Sequence, residues 1–399
     1  MKKFLKFSLI LALLITMGGY APAVFATATV TPATGGSAIS ADTTGGSYAA
    51  LAGPIILEGA TADIGTGTII LNAPSGFNFN TVASSVTATR TDVAGTGCNP
   101  SRRLLINAGA SQIVTPTATT ITINITRITS SGCRNIITWT GIQVRPTAGT
   151  PLASGNIVKT GTSSIVGVTN SVTNFGALTE VAGAKNKLAF TTEPSSAATI
   201  GVDFATKPVV TVQDQFGNTR ISDSASTISR GAVLSTQACG GTAGSGVLTS
   251  IPANGATVAS GVMNYTAMQY SSAESIKICA SSTGVTSALS NAIVVSKVNT
   301  TTVVVSSGNP SVYGQPVTFT ATVTPANGGP PSGTVTFKDG PTTIGTGILN
   351  GANPGVAVFS ISNLSVLGSP HSITAVYGGD SNFNGSTSIT FYTGNISWD

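Results

Sequence analysis

At 399 residues the chain is longer than one ordinary core encloses, so two to four domains are expected. Only 8% of residues are charged, about a third of ordinary usage, while 41% are apolar and Val, Ile and Thr abound; this excludes a disordered polyelectrolyte and favours strands. The formal charge of +5 is mostly terminal: three of the 18 bases, Lys2, Lys3 and Lys6, lie in the first 26 residues, and the remaining 15 face 13 acids. A balance of +2 without basic clusters gives nucleic-acid binding no support, and the doublet Arg102-Arg103 reads as a solvated loop.

Residues 1–26 read as a secretory signal peptide. The lysines precede an uncharged apolar run over 7–17, and Ala23-Val24-Phe25-Ala26 puts small residues where a signal peptidase reads, so cleavage is expected after Ala26. A retained anchor is the alternative, but the run is short of the roughly 20 residues that span a bilayer. No later segment is long and apolar enough, so no transmembrane segment is expected after cleavage.

Residues 27–184 read as an N-terminal β-sandwich of eight or more strands. GTGTIILNAPSGFNFNT, residues 65–81, is strand, turn, strand. TTITINITRIT, residues 119–129, alternates, with isoleucines at 121, 123, 125 and 128. NIITWTGIQVRPTAG adds a strand ending at Pro146, with Trp139 in phase with Ile137. Residues 185–297 open with KLAFTTEPS. In FATKPVVTVQDQFGN, residues 204–218, Val210 and Val212 alternate with polar neighbours and 214–218 form a turn. In residues 298–399 PVTFTATVTP places Val317, Phe319, Ala321 and Val323 on one face, and TTVVVSS, GTVTFKDG, TTIGTGIL, VAVFSIS, HSITAVYGG and TSITFYTG complete about seven strands. The fold class is therefore all-β: tandem β-sandwich domains, immunoglobulin-like in the C-terminal two.

Residues 301–390 resemble a bacterial Ig-like repeat domain of the surface-protein and adhesin type. The resemblance rests on PVTFTATVTP, on the SGTVTFKDG hairpin and on SITAVYGGDSNFNGSTS, where the family has a strand, then Tyr, Gly, Asp, an aromatic and small hydroxyl residues. Residues 185–297 resemble invasin-type Ig-like modules, in which a strand ends in an aspartate and a Gly-Asn turn, as at Asp214 and Gly217-Asn218. Residues 27–184 resemble N-terminal sandwich domains that precede such repeats. The resemblance implies an exported surface protein and names no ligand.

Four cysteines in an exported chain suggest two disulfides. Three pairings are possible; the domain boundaries put two cysteines in each of two domains and favour Cys98–Cys133 and Cys239–Cys279. Metal binding is the rival, without a CxxC pair and with the single histidine, His371, far off.

Candidate chemistry is sparse. YGGDSNFNGSTS, residues 377–388, reads either as a turn with Asp380 accepting backbone N–H groups, or as a calcium or phosphate site. The structural reading is complete without a ligand: Tyr377 ends a buried face, Gly378-Gly379 permits positive φ and Phe383 returns to the core. His371 reads as a surface histidine. Glu58 and Asp63 could flank one loop as a glycosidase pair, against a plain surface role. There is no GxSxG elbow and no glycine-rich loop with GK[ST]. Trp139 reads first as core and second as a possible ligand contact. No enzyme activity, cofactor or metal is expected. The expected function is adhesion or a structural envelope role at the cell surface or in the secreted fraction, with an extracellular glycan or protein ligand. The alternative is a carbohydrate-binding accessory protein of a secreted polysaccharide-degrading system.

Overall fold

The computed structural model describes residues 26–82 and 86–392. The expected signal, apart from Ala26, and Trp398 lie outside the described residues. Among the described residues the one helical element is a three-residue 3-10 turn, Ala41–Thr43, and all other regular structure is strand. No helix among them is long and apolar enough to cross a membrane, which says nothing about crossing by strands. The chain divides into two compact units. One comprises residues up to 39, 43–148 and 152–181; the other comprises 40–42, 149–151 and 182 onward.

In the first unit an antiparallel sheet runs in the order Thr29–Thr31, Ile55–Leu57, Asn135–Thr140, Val86–Asp92, Ser111–Val114. A second runs through Asn174–Val181, Ser154–Thr160, Gly67–Asn72, Thr120–Arg127 and Leu105–Ile106. Alternation decides which side chains meet. Ile121 lies opposite Leu71 and Ile123 opposite Ile69, all four buried, while Thr122, Asn124 and Thr126 face water. Ile128, just past the strand's end at Arg127, is out of phase with Ile121, Ile123 and Ile125 and is 40% exposed. Trp139 and Ile137 point inward from Asn135–Thr140, and small Ala88 directly opposite Trp139 leaves room for the indole. A third sheet, Ala49–Ala50, Gln143–Pro146, Phe77–Phe79, adds Phe77, Phe79 and Val144 to the same core.

The second unit begins with Lys187–Thr192, Val209–Gln213 and Val262–Asn264 in one sheet. Facing strands include Ala197–Thr199, which runs parallel to Ile293–Ser296, then Ser275–Ser281, Thr227–Leu234 and Ala256–Thr257. Leu248–Ile251 and Ala267–Tyr270 form a separate antiparallel pair. Further along, Thr300–Ser306, Val317–Pro325 and Gly355–Ile361 make a three-stranded sheet. Thr342–Ile348, Thr334–Asp339, Ser372–Tyr377 and Ser386–Thr387 form the other layer, with Phe391–Tyr392 also paired to Ser372–Tyr377. Val317, Phe319, Ala321 and Val323 are buried, as their period of two requires. One hydrophobic cluster extends from Leu188 to Phe383.

Candidate functional site

The stretch 377–388 is built around Asp380. Strand Ser372–Tyr377 delivers Tyr377 into the core, and the backbone then turns through Gly379 at φ +82°. A Cβ at Gly379 would stand 2.7 Å from the Phe383 carbonyl oxygen and 2.8 Å from Gly385 N, so the turn requires glycine. Asp380 Oδ1 accepts from the N–H groups of Asn382 (2.8 Å) and Phe383 (2.9 Å). Its Oδ2 accepts from Ser332 N (2.9 Å) and Ser332 Oγ (2.7 Å). Burial pushes this carboxyl up, but the four donors outweigh it and hold the group below the usual carboxylate range. A carboxylate ringed by donors suits a corner; a cation would need oxygens in those places. Burial and the adjacent Asp380 charge push the Tyr377 phenol up to about 12.

The corner also fastens the chain entering this region. Val298 N donates to Asn382 O (2.9 Å), Asn384 N to Val298 O (2.8 Å) and Lys297 Nζ to Asp380 O (2.6 Å). Asp214 repeats the device earlier. Its Oδ1 accepts from Phe216 N and Asn218 N, both at 2.9 Å; its Oδ2 accepts from Asn218 Nδ2 (2.9 Å) and Gly183 N (2.8 Å). Gly217 supplies the positive φ, +92°. Here too burial raises the pKa and the hydrogen bonds more than reverse it.

Two expectations about titratable groups are corrected. His371 is not a surface residue: it is 6% exposed, with Nδ1 2.5 Å from Asp339 Oδ2 and Nε2 2.7 Å from Ser365 O. The ring is buried because both nitrogens find partners on the strand end at Asp339 and on the loop at Ser365. Glu58 is likewise 0% exposed, and Asp63 is buried beside it. Glu58 Oε2 accepts from Asn135 N (2.8 Å), and Oε1 from Thr129 Oγ1 (2.9 Å) and Ile64 N (3.4 Å). Asp63 Oδ2 accepts from Ala60 N (2.7 Å). Burial pushes the Glu58 carboxyl up, and these hydrogen bonds only partly offset it. The two acids do share one loop, as their spacing suggested, but they cross-link it from inside rather than flank a substrate.

Trp139 is 0% exposed and packs in the first unit's core. Its indole Nε1 is a buried donor with no acceptor among the described residues. Trp139 also borders a groove of about 370 Å³ lined with Thr31, Leu51, Ile55, Thr138 and Thr140. Both disulfides are present: Cys98–Cys133, Cα atoms 4.5 Å apart, and Cys239–Cys279, 5.3 Å apart. The strand register that the sequence left open places Cys279 opposite Gly231 in the ladder, and the second disulfide ties that position to Cys239, beyond the end of Thr227–Leu234. Sequence reasoning missed Lys159, which is 1% exposed and donates from Nζ to Ser163 O (2.5 Å) and Asn170 Oδ1 (2.8 Å). Its signal was available: in SGNIVKT, Lys159 is in phase with the buried Ile157.

Residues 303–393 match the family model described as bacterial Ig-like domain (group 3). This part of the chain is a bacterial Ig-like domain. In the bacterial Ig-like domain the Asp380 corner closes one end, the His371–Asp339 bridge ties the loop at Ser365 to a strand, and Phe337 stacks on Phe359 with centroids 5.7 Å apart. No curated protein matches the chain. Solved structures similar to the chain include the adhesin FdeC of Escherichia coli, with 11% identity, 96% of this chain and 100% of that one covered, and a TM-score of 0.30. They include the adhesin InvE of Yersinia pseudotuberculosis, with 15% identity, coverage of 51% and 58%, and a TM-score of 0.27. The fibronectin(III)-like modules of Clostridium thermocellum CbhA are a third, with 14% identity, coverage of 53% and 94%, and a TM-score of 0.21.

Proposed function

We propose that the protein is exported and acts at the bacterial surface as a non-enzymatic binding protein. Residues 27–184 recognise an extracellular glycan or protein, and the modules 185–297 and 298–399 support them. The observation that carries this reading is the bacterial Ig-like domain at 303–393. Two disulfides fit an oxidising compartment. The carboxylates of Glu58, Asp214 and Asp380, and the ring of His371, are taken up by hydrogen bonds that hold turns and loops, which does not suit an acid or base that must exchange protons with a substrate. The test is an array of glycans and matrix proteins probed with residues 27–184 and with the full chain. Specific binding by 27–184 is expected; silence of that fragment where the full chain binds contradicts the assignment.

A further inference from the structure

We propose that the concavity around Lys185 and Arg220 binds an oxyanion group, a carboxylate or a sulfate, on an acidic saccharide. The site lies within the second unit and stands whether or not residues 27–184 recognise a ligand. A cavity of about 480 Å³ is lined by Lys185, Arg220, Ser222, Asp223, Ser224 and Ser226, together with Ala184 and Ala225. That volume falls within the range of about 300–1,000 Å³ typical of small-molecule sites and exceeds what one inorganic anion fills, so the ring bearing the anion also has room.

The donors in this cavity are largely unspent. Neither base is in any ion pair among the described residues. The Arg220 side chain makes one hydrogen bond, from Nη1 to the Gly183 carbonyl, out of five available N–H groups, and its Nε is a buried donor without an acceptor among the described residues. Lys185 Nζ makes one contact, to Ser226 Oγ at 3.3 Å, out of three. The one carboxylate in the cavity does not neutralise them both. Asp223 feels the Lys185 charge, but its Oδ1 accepts from Ala225 N (3.1 Å) and Ser226 N (2.9 Å), and its Oδ2 from Ser226 Oγ (2.8 Å). Within the lining two cations face this one committed anion; two further carboxylates stand at the adjoining loop, Asp214 on Gly183 N (2.8 Å) and Asp42 on Ala184 N (2.5 Å), and both are likewise taken up by N–H donors, Asp42 Oδ1 also accepting from Gln215 Nε2 (3.0 Å). The wall is also preorganised. Asp223 N donates to Arg220 O (2.9 Å), Gly261 N to Asp223 O (2.6 Å) and Val258 N to Ser226 O (3.0 Å), so the serine loop is tied to its neighbours before any ligand arrives. A guanidinium and an ammonium converging on one concavity give charge-assisted hydrogen bonds to an oxyanion, and the Ser222 and Ser224 hydroxyls offer neutral partners to saccharide hydroxyls.

The full chain is titrated calorimetrically with sodium sulfate, with D-glucuronate and with uncharged D-glucose. Saturable single-site binding of sulfate or glucuronate, and none of glucose, is expected. Which anion binds more tightly assigns the group as a sulfate ester or a carboxylate. Lys185→Met should weaken binding about tenfold, the loss of one charge-assisted hydrogen bond, and Lys185→Arg should preserve it. Lys185 is the informative position because Arg220 also holds Gly183. Three results overturn the proposal: no saturation by either anion, glucose binding equal to glucuronate, or Lys185→Met titrating like the unaltered chain.

Discussion

Asp380 and Asp214 show what a carboxylate does in a chain with so few charges. Each takes four hydrogen bonds and fixes a turn whose glycine has positive φ. Asp380→Ala leaves the Asn382, Phe383 and Ser332 donors without their acceptor and should cost about 2–4 kcal/mol in urea denaturation of the full chain. The folded Asp380 carboxyl lies below its unfolded value, so its contribution is present in full above the unfolded value near 4. That contribution is lost as pH falls through the folded value. Unfolding free energy should therefore drop below about pH 4, and the drop should be smaller in Asp380→Asn. Glu58 runs the other way, since its folded value is raised: its contribution is greatest below the unfolded value and declines as pH rises through the folded one. Trp139→Ala should cost about 3–5 kcal/mol, the usual penalty for emptying a large aromatic site, read as a lower urea midpoint. The Asp380 corner was legible because Tyr377, Gly379, Asp380 and Phe383 are neighbours in sequence. Glu58 and His371 were not, because a buried polar group is defined by its partners, and Asn135 lies 77 residues from Glu58 and Asp339 lies 32 from His371.

At the scale of elements, period-two alternation was enough to place strands such as Val317–Pro325 and Thr120–Arg127 and to say which face each buries. It fails where a side chain replaces the backbone. TSITFYTG reads as one strand, yet the structure pairs Ser386–Thr387 and Phe391–Tyr392 separately with Ser372–Tyr377. Between them Ser388 Oγ accepts from Ala375 N (3.0 Å), so a hydroxyl takes the place of a ladder carbonyl and the regular pattern breaks. Glycine in a strand can also serve packing. A Cβ on Gly345 would come 2.1 Å from the Phe359 ring, so Gly345→Ala must shift Phe359 from Phe337 and should lower stability by about 1–3 kcal/mol in the same assay. The disulfides close loops of 35 and 40 residues. By the loop-entropy account, replacing Cys239 and Cys279 by serine should cost about 3–4 kcal/mol, seen as a lower urea midpoint.

For the whole molecule, the second unit's hydrophobic cluster continues from Leu188 to Phe383, and Val298 is bonded on both sides to 382–384. Residues 182–399 are accordingly expected to unfold in one cooperative transition, with fluorescence and far-ultraviolet dichroism giving coincident midpoints. The family of residues 303–393 was legible in the sequence. Strand periodicity and the 377–388 motif carry the family; a ligand depends on which side chains share a concavity, and Lys185 and Arg220, 35 positions apart, line one only in the fold. The most direct test of export to the surface is the intact mass of the protein recovered from the surface fraction of its source cell. A chain beginning at Thr27 and four hydrogens lighter than its reduced form, one pair for each disulfide, is the predicted result. A chain found only in the cytoplasm, starting at Met1 with four free thiols, would contradict it.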